Sequence, residues 1–567
     1  MTTPTFDHYF RYAELTDILN DFAVRFPALC KVTSLGKSYE GRDIWCVTLT
    51  SSTGGSDTVK PAFWVDANIH ATEISPTSCA VYTINKILNG YGADAKITRL
   101  LDTRALYIVP RVNPDGAELY LDERHRSIRS STRPYPRLDK LDGLYDHDVD
   151  GDGRILTMRI KDPNGPWKAH PTDARLMIAR DPDDANEDGV THYRLLPEGL
   201  IRNYDGVNIK IAPPLEGLDL NRNFPMEWTV EGEQRGAGPY PASEPEVRAI
   251  VQFVVDHPNI TGGITYHTFA GAYLRPYSAH PDDYFKTEDL WTYQEIGKAA
   301  TRITGYPAIS VFHDFKYHPK DTTKGAFDDW MYDHLGVYAW TCEIWGPMQQ
   351  AGIEMKKPGG GYQFIDWYRD HPIEDDLKLL KWSDEKLDGK GFIAWYPVQH
   401  PQLGEVELGG WNDEYCFRNP PPHLLEKEIA PHADFIVWHA LISPRIEFNA
   451  LTVNAIGDGA YAIRAVVQNT GWLPTSVSGR AQEKSLARPI EVDIALPPGA
   501  TLLNGKLRVE AGQLAGRALK SHAYDINDAT NDRVSVEWVV RAPAGSAVTV
   551  KATSQRAGTI TREVVLP

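Results

Sequence analysis

His70 and Glu73 set the first chemical hypothesis. They stand three residues apart in His70-Ala-Thr-Glu73, at the end of the apolar run Pro61-Ala-Phe-Trp-Val-Asp-Ala-Asn-Ile-His70 and directly before a helix-like segment, Ser75 to Leu88. An imidazole and a carboxylate at the carboxyl end of a strand lie where open α/β sheets usually carry chemistry. Both are zinc-ligand types, and a catalytic zinc takes a third protein ligand and leaves its fourth position to water. Alone the pair is a weak signal, because the same spacing describes a solvated turn with a helix-opening glutamate. Three more segments strengthen it. His267 closes the apolar stretch Gly262-Gly-Ile-Thr-Tyr-His267. Glu343 closes another, Val337-Tyr-Ala-Trp-Thr-Cys-Glu343, where a carboxylate must be hydrogen-bonded or functional. Asn221-Arg222 follows Asp219 and offers an amide and a guanidinium able to grip a carboxylate.

The elements that must position these groups follow from periodicity. Apolar residues at helical spacing (Phe10, Leu15, Ile18, Leu19, Phe22, Phe26) predict an opening helix within residues 8 to 28. Alternating stretches predict strands at 31–35 and 43–50, joined through Tyr39-Glu-Gly-Arg42. Strand, helix and strand follow at 61–70, 75–88 and 104–111. This alternation predicts an α/β fold with a mixed, mostly parallel open sheet flanked by helices. From about 133 to 215 the chain turns rich in Asp, Gly and Pro, which reads as an insertion, and residues 347–422 read as loops wrapping the catalytic domain. A last helix is expected from His423 to Leu441. After Ser443-Pro444, short alternating strands predict a β-sandwich, so the expected domains are 1–442 and 443–567.

Together these segments resemble the zinc carboxypeptidases of the A and B type. The matching pieces are Ser38-Tyr-Glu-Gly-Arg-Asp, Ile69-His-Ala-Thr-Glu73, Asn113-Pro-Asp-Gly116, Gly217-Leu-Asp-Leu-Asn-Arg-Asn223, Ser243-Glu-Pro-Glu, Tyr266-His-Thr, and Asp328-Asp-Trp-Met-Tyr-Asp followed by Thr-Cys-Glu343. They occur in the family's order across residues 8 to 346. The resemblance implies that His70, Glu73 and His267 bind one zinc ion and that Glu343 is the general base. It implies that Asn221 and Arg222 hold a substrate's terminal carboxylate, and that Arg129 stabilises the oxyanion, with Arg126 as the alternative because Arg129 lies one residue out of the family's spacing. Asp328 resembles the pocket-floor aspartate of the basic-specific branch, although a helix cap would also account for it. Tyr317 is a candidate for the mobile active-site tyrosine, despite lying too far before Asp328. Thr72 stands where the digestive enzymes often have arginine.

The implied activity is removal of the last residue from peptides that carry a free terminal carboxylate. Two other readings stay open: a zinc amidase or deacylase acting on amino-acid or cell-wall peptide conjugates, and an inactive binding protein. Within the insertion, Asp148, Asp150 and Asp152 stand at alternate positions before Gly153, as in an EF-hand loop, but position 12 is Arg159. Asp184, Asn186 and Asp188 form a looser copy. Both read either as calcium sites or as Asp/Gly-rich turns without metal.

Composition limits the partners. A formal charge of -17 over 567 residues argues against phosphate-backbone binding. No apolar run approaches the roughly 18 residues of a membrane span. The start, Met1-Thr-Thr-Pro-Thr-Phe-Asp-His, lacks the charged and apolar regions of a signal peptide. Five scattered cysteines without a C-x-x-C pair read as reduced thiols, so the expected location is cytoplasmic.

Overall fold

The computed structural model describes residues 4–122, 127–184, 189–318, 320–357, 360–518 and 528–567. An eight-stranded mixed sheet organises the first part of the chain. Its order is Cys30–Lys37, Asp43–Leu49, Ala105–Val109, Ala62–Ala67, Ile260–Thr268, Tyr338–Ile344, Ala272–Arg275, Ala308–Ser310. The four central strands, Ala105–Val109 through Tyr338–Ile344, run parallel, with antiparallel pairings toward both edges. Every residue of Ala62–Ala67, Ile260–Thr268 and Tyr338–Ile344 is buried, so these strands are unbroken in hydrophobicity rather than alternating, as strands covered on both faces must be. Two adjacent glycines register the two covering layers. A Cβ on Gly262 would meet His439 of the helix Pro422–Leu441, and one on Gly263 would meet Met331 of the helix Phe327–Leu335, on the opposite face.

Because the central strands are parallel, the carboxyl ends of Ala62–Ala67, Ile260–Thr268 and Tyr338–Ile344 open at one edge. His267 pairs in register with Glu343, so their side chains emerge side by side on one face.

The stretch expected to be wrapping loops at 347–422 is more regular than its Gly, Pro and aromatic content implies. It contains the helices Phe364–Arg369 and Ile373–Lys386 and a hairpin, Phe392–His400 with Gly404–Trp411. That hairpin joins four strands of the Asp/Gly-rich insertion in one antiparallel sheet, through Gly404–Trp411 beside Thr157–Lys161. The insertion's own strands are only three to six residues long, which hid them from a hydrophobic reading. Arg159 replaces an apolar core residue here: its guanidinium stacks 4.6 Å from the Tyr193 ring and 4.4 Å from Trp395, and its Nε donates to Glu407.

Beyond Ser443 the chain forms two four-stranded antiparallel sheets around a core of Ile463, Val467, Trp538 and Val550, which is the expected sandwich. It is pinned to the first part of the chain through Asp289, whose buried carboxylate accepts the Gly479 and Arg480 backbone N–H groups and the hydroxyls of Tyr332 and Tyr338. All five cysteines are buried and unpaired. No described helix is long and apolar enough to cross a membrane.

Glu246, in the first turn of Pro245–Asp256, ties that helix to the 39–42 turn by accepting the Tyr39 N–H, while its Oε2 is buried without a partner. Burial pushes its carboxyl up from 4.5 to about 7. The folded state therefore holds a proton that the unfolded chain has released between those values, and stability must fall as pH rises through that window. Glu246→Gln should flatten this dependence, read as a melting temperature that changes less than wild type between pH 4.5 and 7.

Candidate active site

The end of the strand Ala62–Ala67 is turned by Asn68, held at φ 58°, a left-handed conformation that asparagine tolerates better than most residues. Its amide spans the turn it makes: Nδ2 donates to the His70 carbonyl and Oδ1 accepts the Thr77 hydroxyl. Asn113, capping the helix Pro114–Leu121 through the Gly116 N–H, reaches the Ser130 carbonyl, and Ser130 Oγ donates to Ile69 O. The loop that carries His70 is thus fixed by side chains from three segments.

His70, Glu73 and His267 converge. His70 Nδ1 lies 2.8 Å from Glu73 Oε1 and 3.1 Å from His267 Nδ1, and His267 Nδ1 lies 3.0 Å from Glu73 Oε2. The far nitrogens assign the tautomers. His70 Nε2 donates to Asp219 Oδ1 at 3.1 Å, since a carboxylate only accepts. His267 Nε2 donates to Thr265 Oγ1 at 3.3 Å, whose hydroxyl is spent on Asp66 Oδ1 at 2.6 Å. Both Nδ1 lone pairs therefore face the Glu73 carboxylate, and Glu73 Oε2 is buried with no hydrogen bond of acceptable geometry. Electron-rich atoms crowded in this way fit a cation, and two imidazole nitrogens with one carboxylate fit zinc.

Asp219 was not expected to act, but it is the hub of the site. Besides His70 it accepts Arg129 Nε at 2.8 Å and the Asn221 N–H at 2.9 Å. Burial opposes its charge, but Arg129, Arg222 and His70 keep the carboxyl well below the ordinary aspartate value. Its position in Gly217-Leu-Asp-Leu-Asn-Arg, two residues before the Asn221-Arg222 pair, was the available signal.

A cavity of about 340 Å³ opens over the cluster and is lined by His70, Glu73, Asp219, Arg129, Arg222, Tyr317 and Glu343. Burial pushes the Glu343 carboxyl up to about 7, with Glu73 adding to the rise and His267 and Arg129 opposing it. Tyr317, half exposed at the mouth, is brought to the pocket despite its spacing. Asn221 is not in the wall; its Oδ1 accepts the Phe327 N–H and caps the helix Phe327–Leu335. Asp328 also lies behind the wall, buried with Oδ2 unpartnered, its carboxyl pushed by burial up to about 6. Neighbouring Asp329 differs, accepting the Ser278 N–H on both oxygens. Arg126 lies outside the described residues, and Arg129 occupies the pocket.

The second metal expectation divides. Asp148, Asp150 and Asp152 bring carboxylate oxygens within 4.8 Å of one another, but Asp150 and Asp152 are exposed. Asp148 and Asp152 each accept backbone N–H groups of their own loop, and Arg159, at position 12, is committed to Glu407. Asp184 belongs to an ion pair with Lys168 at 2.5 Å rather than to this cluster. Asn186 and Asp188 lie outside the described residues.

With this geometry in hand, comparison with known proteins is informative. The zinc carboxypeptidase family model matches residues 15–356, more than half of the chain, and a model for a domain of unknown function matches 445–565. The chain is 26% identical to carboxypeptidase A2 of Rattus norvegicus over 348 residues, covering 60% of this chain and 63% of that protein. It is 25% identical to carboxypeptidase B of Astacus astacus, covering 59% and 86%. Among solved structures, carboxypeptidase A from Helicoverpa armigera superposes with a TM-score of 0.41 at 17% identity, covering 68% of this chain and 74% of that one. The chain thus spans less than two thirds of the length of the rat relative.

Asp219→Asn keeps the shape but weakens the acceptor that orients His70, so zinc affinity should fall by roughly 10–100-fold. Competition against a chromophoric chelator measures it; an unchanged affinity would remove Asp219 from the metal site.

Proposed function

The chain belongs to the zinc carboxypeptidase family, and we propose that it hydrolyses the last peptide bond of substrates bearing a free terminal carboxylate, with a preference for basic terminal residues. The observation that carries the reading is that Glu343, paired in register with His267, and Arg222 line one cavity over the His70 and Glu73 side chains.

Bound to His70, Glu73 and His267, zinc supplies the Lewis acidity that polarises the scissile carbonyl. The chain's own residues do the rest. Arg222, oriented by donation from its Nη1 to the Asn221 carbonyl at 2.7 Å, offers its remaining donors to the terminal carboxylate. This places the last peptide bond, and no interior one, over the cluster. Glu343 is buried and its carboxyl sits near neutrality, so it is suited to take a proton from the attacking water and return it to the leaving amine. Arg129, held by Asp219 with its side chain about a third exposed, faces the pocket where negative charge develops on the carbonyl oxygen.

Support for basic preference comes from Asp328. A buried carboxylate oxygen without a partner is costly, and a Lys or Arg side chain reaching through the wall would satisfy it. Asp329 cannot serve, since both its oxygens are engaged.

Glu343→Gln should bind zinc as wild type does while kcat falls by roughly 10²–10⁴-fold; undiminished turnover at equal metal content would exclude the base assignment. Asp328→Leu should lower kcat/KM for peptides ending in Lys or Arg and raise it for aliphatic ends. A mass-spectrometric panel varied at the last residue reads this, and the same profile from both proteins would refute the pocket floor.

A further inference from the structure

One cation in the pocket lies outside the family-matched segment. Arg418 ends a single wide π-type turn, Asp413–Arg418, and lines the same cavity as His70, Glu73 and Glu343. Such turns are uncommon and recur at functional sites. The next residue anchors it. Asn419, fully buried, donates from Nδ2 to the Thr72 carbonyl, and its Oδ1 accepts the Ile74 and Ser75 N–H groups. Asn419 therefore caps the helix that follows the metal loop, and the peptide carrying Arg418 is locked to the zinc ligands.

The guanidinium is only partly engaged. Its Nε donates to Asp413 Oδ2 at 2.9 Å, and that is the one hydrogen bond it makes among the described residues, so both terminal nitrogens remain for another acceptor. Asp413 is 60% exposed and neutralises it weakly through solvent. The carbon of the guanidinium lies 5.6 Å from the Phe269 ring, in an aromatic wall that Phe364 and Tyr368 continue.

Arg418 and Arg222 enter the cavity from different segments, Arg418 from the turn that Asn419 ties to the Thr72 carbonyl and Arg222 from the loop held by Asp219. The Arg418 charge acts on Glu73, Glu343 and Tyr368. Tyr317 is influenced by Arg129, Arg222, Glu343 and Asp219. On the reading that Arg222 holds the terminal carboxylate, Arg418 is left for the acyl side of the scissile bond.

We propose that Arg418 is a specificity-determining residue that binds a carboxylate on the residue immediately upstream of the cleaved bond. This inference rests on the carboxypeptidase reading for its orientation. Two substrates present that chemistry: an α-linked acidic residue, through its side chain, and a γ-linked glutamate, through its free α-carboxylate.

The test uses zinc-loaded full-length protein and peptides with one fixed terminal residue, chosen as the best cleaved, and a penultimate residue set to α-linked Glu, γ-linked Glu or Gln. Wild type should favour one glutamate arm over Gln by about tenfold or more in kcat/KM, the scale of a charge-assisted hydrogen bond, and the favoured arm identifies the linkage. In Arg418→Gln that ratio should collapse toward one, and Arg418→Lys should keep part of it. A wild-type ratio near one for both arms overturns the proposal regardless of how the variants fold, as does a preference that survives in Arg418→Gln. Calorimetric Kd values for the same peptides separate the two layers. If no peptide is cleaved, the carboxypeptidase reading fails, and the Glu/Gln ratio of Kd values alone decides for or against Arg418.

Discussion

A single buried carboxylate, Asp219, holds the site in its working state. It accepts from His70 Nε2, Arg129 Nε and the Asn221 backbone, and the charge of Arg222 is close enough to help keep it ionised. These contacts offset the cost of burying a charge, which partners and hydrogen bonds alone can compensate. They also decide the chemistry. With its Nε2 proton committed to Asp219, His70 must turn its Nδ1 lone pair toward Glu73 and His267. The same carboxylate sets where Arg129 stands over the cavity. His267 is oriented by an equivalent relay, Thr265 to Asp66, so each imidazole ligand is fixed from behind by an acceptor.

That arrangement is available only because three strands end at one edge of a parallel sheet. The in-register pairing of His267 with Glu343 places a ligand and the base about one strand spacing apart without any loop having to be held in place. The first ligand pair does sit on a loop, and its rigidity is supplied by Asn68, Asn113, Ser130 and Asn419, all buried and all bonded to backbone. Amides suit this task because each offers donor and acceptor at once and can bridge two segments.

The part of the chain beyond the family match contributes more than a cover. Phe364, Tyr368 and Arg418 complete the pocket wall, and the hairpin Phe392–Trp411 that precedes the Arg418 turn is tied to the Asp/Gly-rich insertion by a shared sheet. Two segments far apart in sequence become one layer by pairing strands over a shared apolar cluster of Leu156, Met158, Val406 and Leu408 and by stacking Arg159 between aromatic rings. Part of the cavity wall is therefore built by structure outside the matched region, whereas His70, Glu73, His267 and Glu343 lie within it.

Residue type and local spacing were enough to single out His70, Glu73, His267 and Glu343, which the fold brings together, because a polar residue at the end of an unbroken apolar strand breaks a strong local pattern. They were also enough for the mixed sheet and the sandwich, whose periodicities are local. Tertiary structure alone decided the rest. The sheet formed by 157–197 with 392–411 depends on strand pairing and an apolar cluster shared between segments far apart in sequence, which no local periodicity reveals. Tyr317 reaches the pocket in spite of its spacing, since a loop's path is set by what it packs against. Asn221 and Asp328 carry the expected letters but lie behind the wall, because orientation is fixed by neighbours such as the Phe327 N–H. Arg418 is the extreme case: on the surface of an isolated turn it would be one solvated arginine among many, and only the buried hydrogen bonds of Asn419 to the metal loop make it part of the site.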